Sequence, residues 1–285
     1  MPFFYSIFRF FYLLGAVNAL FFAFLIFSRC NRKRSDAILA VWLLFLTVQL
    51  VIPFIYMSNI RALGYMIGYE STLLTLHPIF LYNYSLTLAN EKRKLKSILL
   101  SFTPTIPVAL SMLVMVDMSS AEKLHMVTSS QLPPLSVFPA FILSMIVFIW
   151  YIVAAFNVQK KHKQQVLQVY SYRDNVDLLW LRRLTLSFTI LFAVDLLLAA
   201  IFWIVGVPLP FADFCFYTML TIFIFLLGYF GYRQGEIFRF EQLNIAREDH
   251  ETHVKEELHS HKTEVPVINR EYEIALASDE AEPPA

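Results

Sequence analysis

The sequence predicts an all-α integral membrane protein, a bundle of about seven transmembrane helices with the N-terminus outside and the C-terminus in the cytosol. Three observations predict it. The first is composition: 58% of the 285 residues are apolar, only 16% are charged, and mean hydropathy is +0.57. Soluble domains hold about 25% charged residues, and one of this size still leaves much of its surface to water. The second is a series of apolar windows, and the third is a one-sided distribution of Lys and Arg between them.

A helix needs about 20 apolar residues to cross about 30 Å of hydrocarbon. Seven windows meet or approach that length: Phe8–Phe27, Ala37–Met57, Leu63–Leu88, Ser97–Val116, Leu135–Val158, Leu184–Val205 and Phe211–Tyr232. The third is longer than a span requires, which predicts tilt or a start outside the hydrocarbon. Pro53, Pro104, Pro107 and Pro139 fall within or near these windows. In a bundle, neighbouring helices can satisfy the backbone groups that prolines release.

Orientation follows from retention of positive loops in the cytosol. The first loop carries Arg29, Arg32, Lys33 and Arg34, and the third carries Lys92, Arg93, Lys94 and Lys96. The fifth carries Lys160, Lys161, Lys163, Arg173, Arg182 and Arg183, whereas the alternate loops offer only Arg61 and Lys123. The leader before the first window lacks a basic n-region, so the first helix reads as a span rather than a cleavable signal.

Charge then divides the chain. Residues 1–233 hold 18 Lys+Arg against 9 Asp+Glu, and residues 234–285 hold 5 against 13. The predicted organisation is a membrane domain over 1–233, a cytosolic juxtamembrane helix over 234–261 and a disordered acidic tail over 262–285. Glu251 and Lys255 add a favourable i,i+4 pair to the juxtamembrane helix.

Ionisable groups at bilayer depth cost roughly 2.5–3.5 kcal/mol on insertion scales and are candidate functional residues. Asp195 lies about 18 Å along its helix from Arg183, near the midplane. Asn18, Gln49 and His77 reach similar depth, so a polar cluster of the four is expected, with His77 and Asp195 as its charge pair. Such a cluster either senses protons or a polar ligand, or simply ties helices together. Arg9 and Glu70 form a candidate ion pair near the outer face, the alternative being two residues that snorkel into water.

Other chemistry is sparse. Cys30 and Cys215 are placed at opposite faces and are not expected to pair. His250, His253, His259 and His261 lack the closed ligand set of a metal site. Asn83-Tyr84-Ser85 matches a glycosylation pattern inside a predicted span, where it should be silent. Nucleotide-binding glycine loops, zincin motifs and nucleophile elbows are absent from the sequence, so no catalytic residue, metal or cofactor is expected.

Three stretches share a pattern with one family. His77-Pro78-Ile79-Phe80-Leu81-Tyr82-Asn83-Tyr84-Ser85-Leu86 is the first. The second runs from Tyr170-Ser171-Tyr172 to Val176-Asp177-Leu178-Leu179-Trp180-Leu181-Arg182-Arg183-Leu184. The third is Leu227-Gly228-Tyr229-Phe230-Gly231-Tyr232-Arg233-Gln234, with Ile237 and Phe238. Together, over about residues 5–240, they resemble the multi-helix membrane sensor region of bacterial membrane-anchored AraC-type transcriptional regulators. The resemblance implies a sensory module in a bacterial inner membrane. In that family a cytosolic domain of two helix-turn-helix units comes next, whereas the 47 residues after Phe238 are acidic and poor in apolar side chains. Direct nucleic-acid binding by this chain is therefore not expected.

Local physics assigns these motifs roles of their own. Trp180, Arg182 and Arg183 are expected to anchor the sixth helix at the cytosolic interface. Gly228 and Gly231 are expected either to permit close helix packing or to hinge the last helix into the segment after Gln234. The expected function is a sensory or signalling module. Its expected partners are membrane lipids and either a cytosolic signalling protein or a second copy of the chain. A small transporter or channel with an Asp195/His77 pathway is the rival expectation.

Overall fold

A computed structural model describes residues 2–30, 33–89, 94–128, 138–169, 179–205 and 214–233. The chain divides into two compact units, Met1–Arg233 and Gln234–Ala285, and every described residue belongs to the first. Gln234, the tail histidines and the Glu251/Lys255 pair lie outside the described residues, as do the Gly-Val-Pro-Leu-Pro turn and the first part of the second family-like stretch.

Within the described residues the regular structure is entirely helical. In chain order the helices are α1 (Pro2–Phe27), α2 (Arg34–Met57), α3 (Glu70–Leu88), α4 (Leu95–Leu100), α5 (Thr105–Ser111), α6 (Ser120–Thr128), α7 (Phe138–Val169), α8 (Leu179–Val205) and α9 (Phe214–Arg233). Short 3-10 turns at Arg61–Met66 and Met112–Met115 complete them. Among the described residues four segments are long and apolar enough to cross a membrane: Ser6–Phe27, Arg34–Met57, Phe141–Gln164 and Phe214–Arg233. Their outward faces carry large apolar side chains such as Phe24, Trp150 and Ile149, each more than half exposed. So large an apolar surface suits lipid rather than water.

Two predicted windows take a different form. Ser97–Val116 is not one helix but α4, a turn, α5 and a 3-10 turn. Pro104 and Pro107 supply no N–H to a continuous ladder. Ser101, Thr103, Thr105 and Ser111 each turn their hydroxyl onto a carbonyl three residues back, so local bonding competes with helix propagation. The window Leu63–Leu88 begins too early, because the helix starts only at Glu70. Before it, Asn59 takes a left-handed φ of 55° and ends α2, with Ile60 N–H reaching Ile55 O and Asn59 N–H reaching Tyr56 O. That is a Schellman termination, with asparagine replacing the usual glycine.

α1 and α9 run parallel and in contact along their length. Phe8 stacks on Phe214, Tyr12 meets Tyr217 edge-on, and Phe22 meets Phe225. Gly15, Ala16, Ala19 and Ala23 are also buried along α1. Small side chains let backbones approach where lipid offers no hydrophobic drive of its own. A Cβ at Gly15 would lie 2.4 Å from Thr221 Oγ1 and 2.8 Å from Leu50 Cδ1, so α1, α2 and α9 converge there.

At the centre an aromatic column ties the helices together. Trp42 of α2 is wholly buried and packs edge-on against Phe188 of α8 and tilted against Phe223 of α9. Phe148 of α7 stacks on Phe192 of α8 with ring centres 3.9 Å apart. α3 lies against this column and supplies most of its polar contacts.

Candidate functional site

α3 is the polar strut of the bundle. Thr75 donates to Ser144 of α7 at 3.0 Å, and Asn83 donates to Ser101 beyond α4 at 2.7 Å. Ser85 accepts from Gln159 of α7 at 3.2 Å, and the same amide donates to Thr185 of α8 at 2.7 Å. All of these except Ser101 are buried. Deprived of water, a polar side chain at such depth finds a partner on a neighbouring helix. Asn83 is 1% exposed and thus lies inside the bundle, away from any glycosylating machinery.

His77 belongs to the same strut. It is wholly buried, and its Nδ1 accepts a hydrogen bond from Trp42 Nε1 at 3.2 Å. An accepting Nδ1 places the proton of the neutral ring on Nε2, which is buried without a hydrogen-bond partner. The ring is therefore bonded to Trp42 rather than to Asp195, which lies half-buried on α8. Gln49, on the same helix as Trp42, is 1% exposed and its Oε1 also lacks a hydrogen-bond partner. Asn18 donates to Leu14 O of its own helix at 2.7 Å. Of the four residues expected to cluster, His77 is thus bonded to Trp42 in the core and Asn18 to its own turn. Trp42 is absent from the residues the sequence singles out, although an indole within a span must place its N–H.

At the opposite end from Lys123, the termini of α1, α2 and α9 meet in a charged clamp. Arg29, just past α1, places one guanidinium nitrogen 3.4 Å from Asp36 Oδ1. The other donates to Gly231 O at 3.5 Å and to Tyr232 O, and the guanidinium lies over the Tyr232 ring at 5.0 Å. These carbonyls lie at the end of the described part of α9. Asp36 complements the helix dipole at the start of α2 and accepts from Lys33 N–H at 3.1 Å.

Beside the clamp, α9 is pressed against its neighbours by the two glycines. A Cβ at Gly228 would meet Phe22 ring carbons at 2.3–2.7 Å, and one at Gly231 would meet Leu39 Cδ2 at 2.2 Å. On the other flank Phe230 stacks with Trp180 at 6.0 Å, and Trp180 meets Tyr84 edge-on at 6.2 Å. Trp180 therefore packs between helices as well as lying beside the exposed Arg182 and Arg183. Tyr84, Trp180 and Phe230 come from the three family-like stretches, one from each.

The far end holds a smaller charged group. Lys123 of α6 is 3% exposed, donates to Tyr65 O at 3.3 Å and lies over the Tyr69 ring at 5.6 Å. Burial lowers the pKa of its ammonium, and the nearby Glu70 carboxylate opposes that fall. Glu70 also accepts from Gly68 N–H at 2.7 Å, while Arg9 donates to Ser6 at 3.0 Å. α6 starts with a reciprocal capping box: Ser119 N–H donates to Glu122 at 2.7 Å and Glu122 N–H donates to Ser119 Oγ at 3.2 Å. The pattern Ser119-Ser120-Ala121-Glu122 is a signal that could place this helix from sequence. Cys30 and Cys215 are both free. Comparison with protein-family models, with curated proteins and with solved structures finds no match.

Proposed function

We propose that this chain is a seven-helix sensory module of a bacterial inner membrane, and that its output leaves through the cytosolic end of α9. The supporting observation is the Tyr84–Trp180–Phe230 chain: three family-like stretches far apart in sequence meet at one aromatic junction. The junction adjoins the Arg29 clamp, immediately before Gln234. A stimulus that shifts α3 or α8 would change how the end of α9 is held and so reposition the chain beyond Arg233. In this reading the clamp, the basic loops and the C-terminus are cytosolic. Output passes to a cytosolic partner or a second copy of the chain rather than from residues 234–285 directly to DNA.

Transcript profiling of cells producing the wild-type chain or Trp180→Ala, against cells with an empty vector, tests this reading. Each chain should leave a reproducible profile, and the two should differ. Identical profiles in all three strains, together with solute flux in proteoliposomes that Asp195→Asn abolishes, would overturn it in favour of transport.

A further inference from the structure

A cleft of about 270 Å³ opens between the C-terminal half of α7 and the start of α8. Its lining is Phe156, Asn157, Gln159, Lys160 and Lys163 from α7 with Leu179 and Arg182 from α8. Three of the seven are cations and none is an acid. Spacing makes the arrangement: Phe156, Lys160 and Lys163 are four and three residues apart and share one face of α7, as Leu179 and Arg182 do on α8. The cleft also sits at a defined depth, since the apolar span of α7 ends at Gln164. Phe156 and Leu179 supply apolar wall while the cations stand at the boundary of the hydrocarbon.

Gln159 braces the inner wall of the cleft. It is 5% exposed, both its donor contacts run to Ser85 and Thr185, and its carboxamide Oε1 has no hydrogen-bond partner. The inner wall is thus tied to α3 and α8, and among the described residues the lining of the cleft carries three cations and no acid. Phosphate answers the rim. An apolar chain next to the headgroup suits Phe156 and Leu179.

We infer that the α7–α8 cleft binds the phosphate headgroup of an anionic phospholipid, through Lys160, Lys163 and Arg182. The basic residues of this loop therefore do more than set topology. Each cation near an anionic headgroup contributes about fivefold in affinity, so three give on the order of a hundredfold. The inference rests on the membrane placement and not on a sensory role.

The test is lipid titration of the delipidated full chain in detergent, read by native mass spectrometry. The probes are phosphatidylglycerol, phosphatidylcholine and soluble glycerol phosphate. Phosphatidylglycerol should bind at least tenfold more tightly than phosphatidylcholine, and the triple variant Lys160→Gln/Lys163→Gln/Arg182→Gln should lose most of that preference. A control of equal charge change, Lys33→Gln/Lys94→Gln/Lys96→Gln, should keep it. Near-ultraviolet circular dichroism confirms that each variant is folded. Equal losses in both triple variants would reduce the effect to bulk charge and overturn the site. Equal binding of phosphatidylcholine would overturn its anionic selectivity. Glycerol phosphate binding as tightly as the lipid, and lost in the cleft variant alone, would assign the cleft to a soluble phosphate ester and overturn the lipid assignment.

Discussion

Arg29→Met removes the clamp's charge while keeping much of its stem. Hydrogen bonds from a charged donor contribute about 1.5–3 kcal/mol. One guanidinium nitrogen serves both α9 carbonyls, so only one such bond is counted. Contact with Tyr232 adds about 0.5–1 kcal/mol. The Arg29 and Asp36 side chains are 16% and 12% exposed, so water screens them only in part. After water replaces some of what is lost, about 2 kcal/mol of local stability should disappear, a factor of about 30 in opening of the last described turn of α9. Hydrogen–deuterium exchange on the full chain in nanodiscs reads this as faster uptake in peptides covering 226–233, with the middle of α2 unchanged. Asp36→Asn should have the smaller effect, because Arg29 keeps its carbonyl partners. Unchanged uptake at 226–233 in Arg29→Met, or an equal effect of both substitutions, would refute the clamp.

Named contacts give three further expected outcomes. Gly228→Ala puts a methyl within 2.7 Å of three Phe22 ring atoms; overpacking of about 1–3 kcal/mol should lower the thermal midpoint, and Phe22→Ala in the same chain should restore part of it. Trp42→Phe leaves His77 Nδ1 buried and unpaired at a cost of about 1–3 kcal/mol; in a denaturation cycle with His77→Leu the two losses should fall short of adding. Ser119→Ala should loosen the start of α6 by about 0.5–2 kcal/mol, read by exchange over 119–128. Bonds from Ser119 hold the Glu122 carboxyl below its usual pKa, so its stabilising contribution is present at neutral pH and fades as pH falls through that depressed value. Exchange over 119–128 should therefore speed up in acid in the wild type, and Glu122→Gln should weaken that pH dependence.

The sequence locates polar residues by depth but not by facing. Asn18, Gln49, His77 and Asp195 group together because they lie equally far from the basic loops, yet equal depth leaves rotation about each helix axis undetermined. A turn of 100° per residue separates a residue that bonds its own helix, like Asn18, from one that bonds across the core, like His77. In the same way Ser97–Val116 has the apolar content of a span, and hydropathy does not register the hydroxyl-to-carbonyl bonds and prolines that break it.

Composition and patterning alone determined that the described regular structure would be helical and rich in segments long and apolar enough to span a membrane, because hydrocarbon demands length, apolarity and internally satisfied backbone, and each of these can be read along the chain. Tertiary structure decided which residues act together. Tyr84, Trp180 and Phe230 are separated by 96 and 50 positions, and Arg29 reaches carbonyls some 200 positions away. Helix rotation and tilt set these meetings, and those depend on how small faces such as Gly15, Gly228 and Gly231 fit large ones such as Phe22 and Leu39. Fit of that kind is a property of two surfaces at once, which is why no single segment announces it.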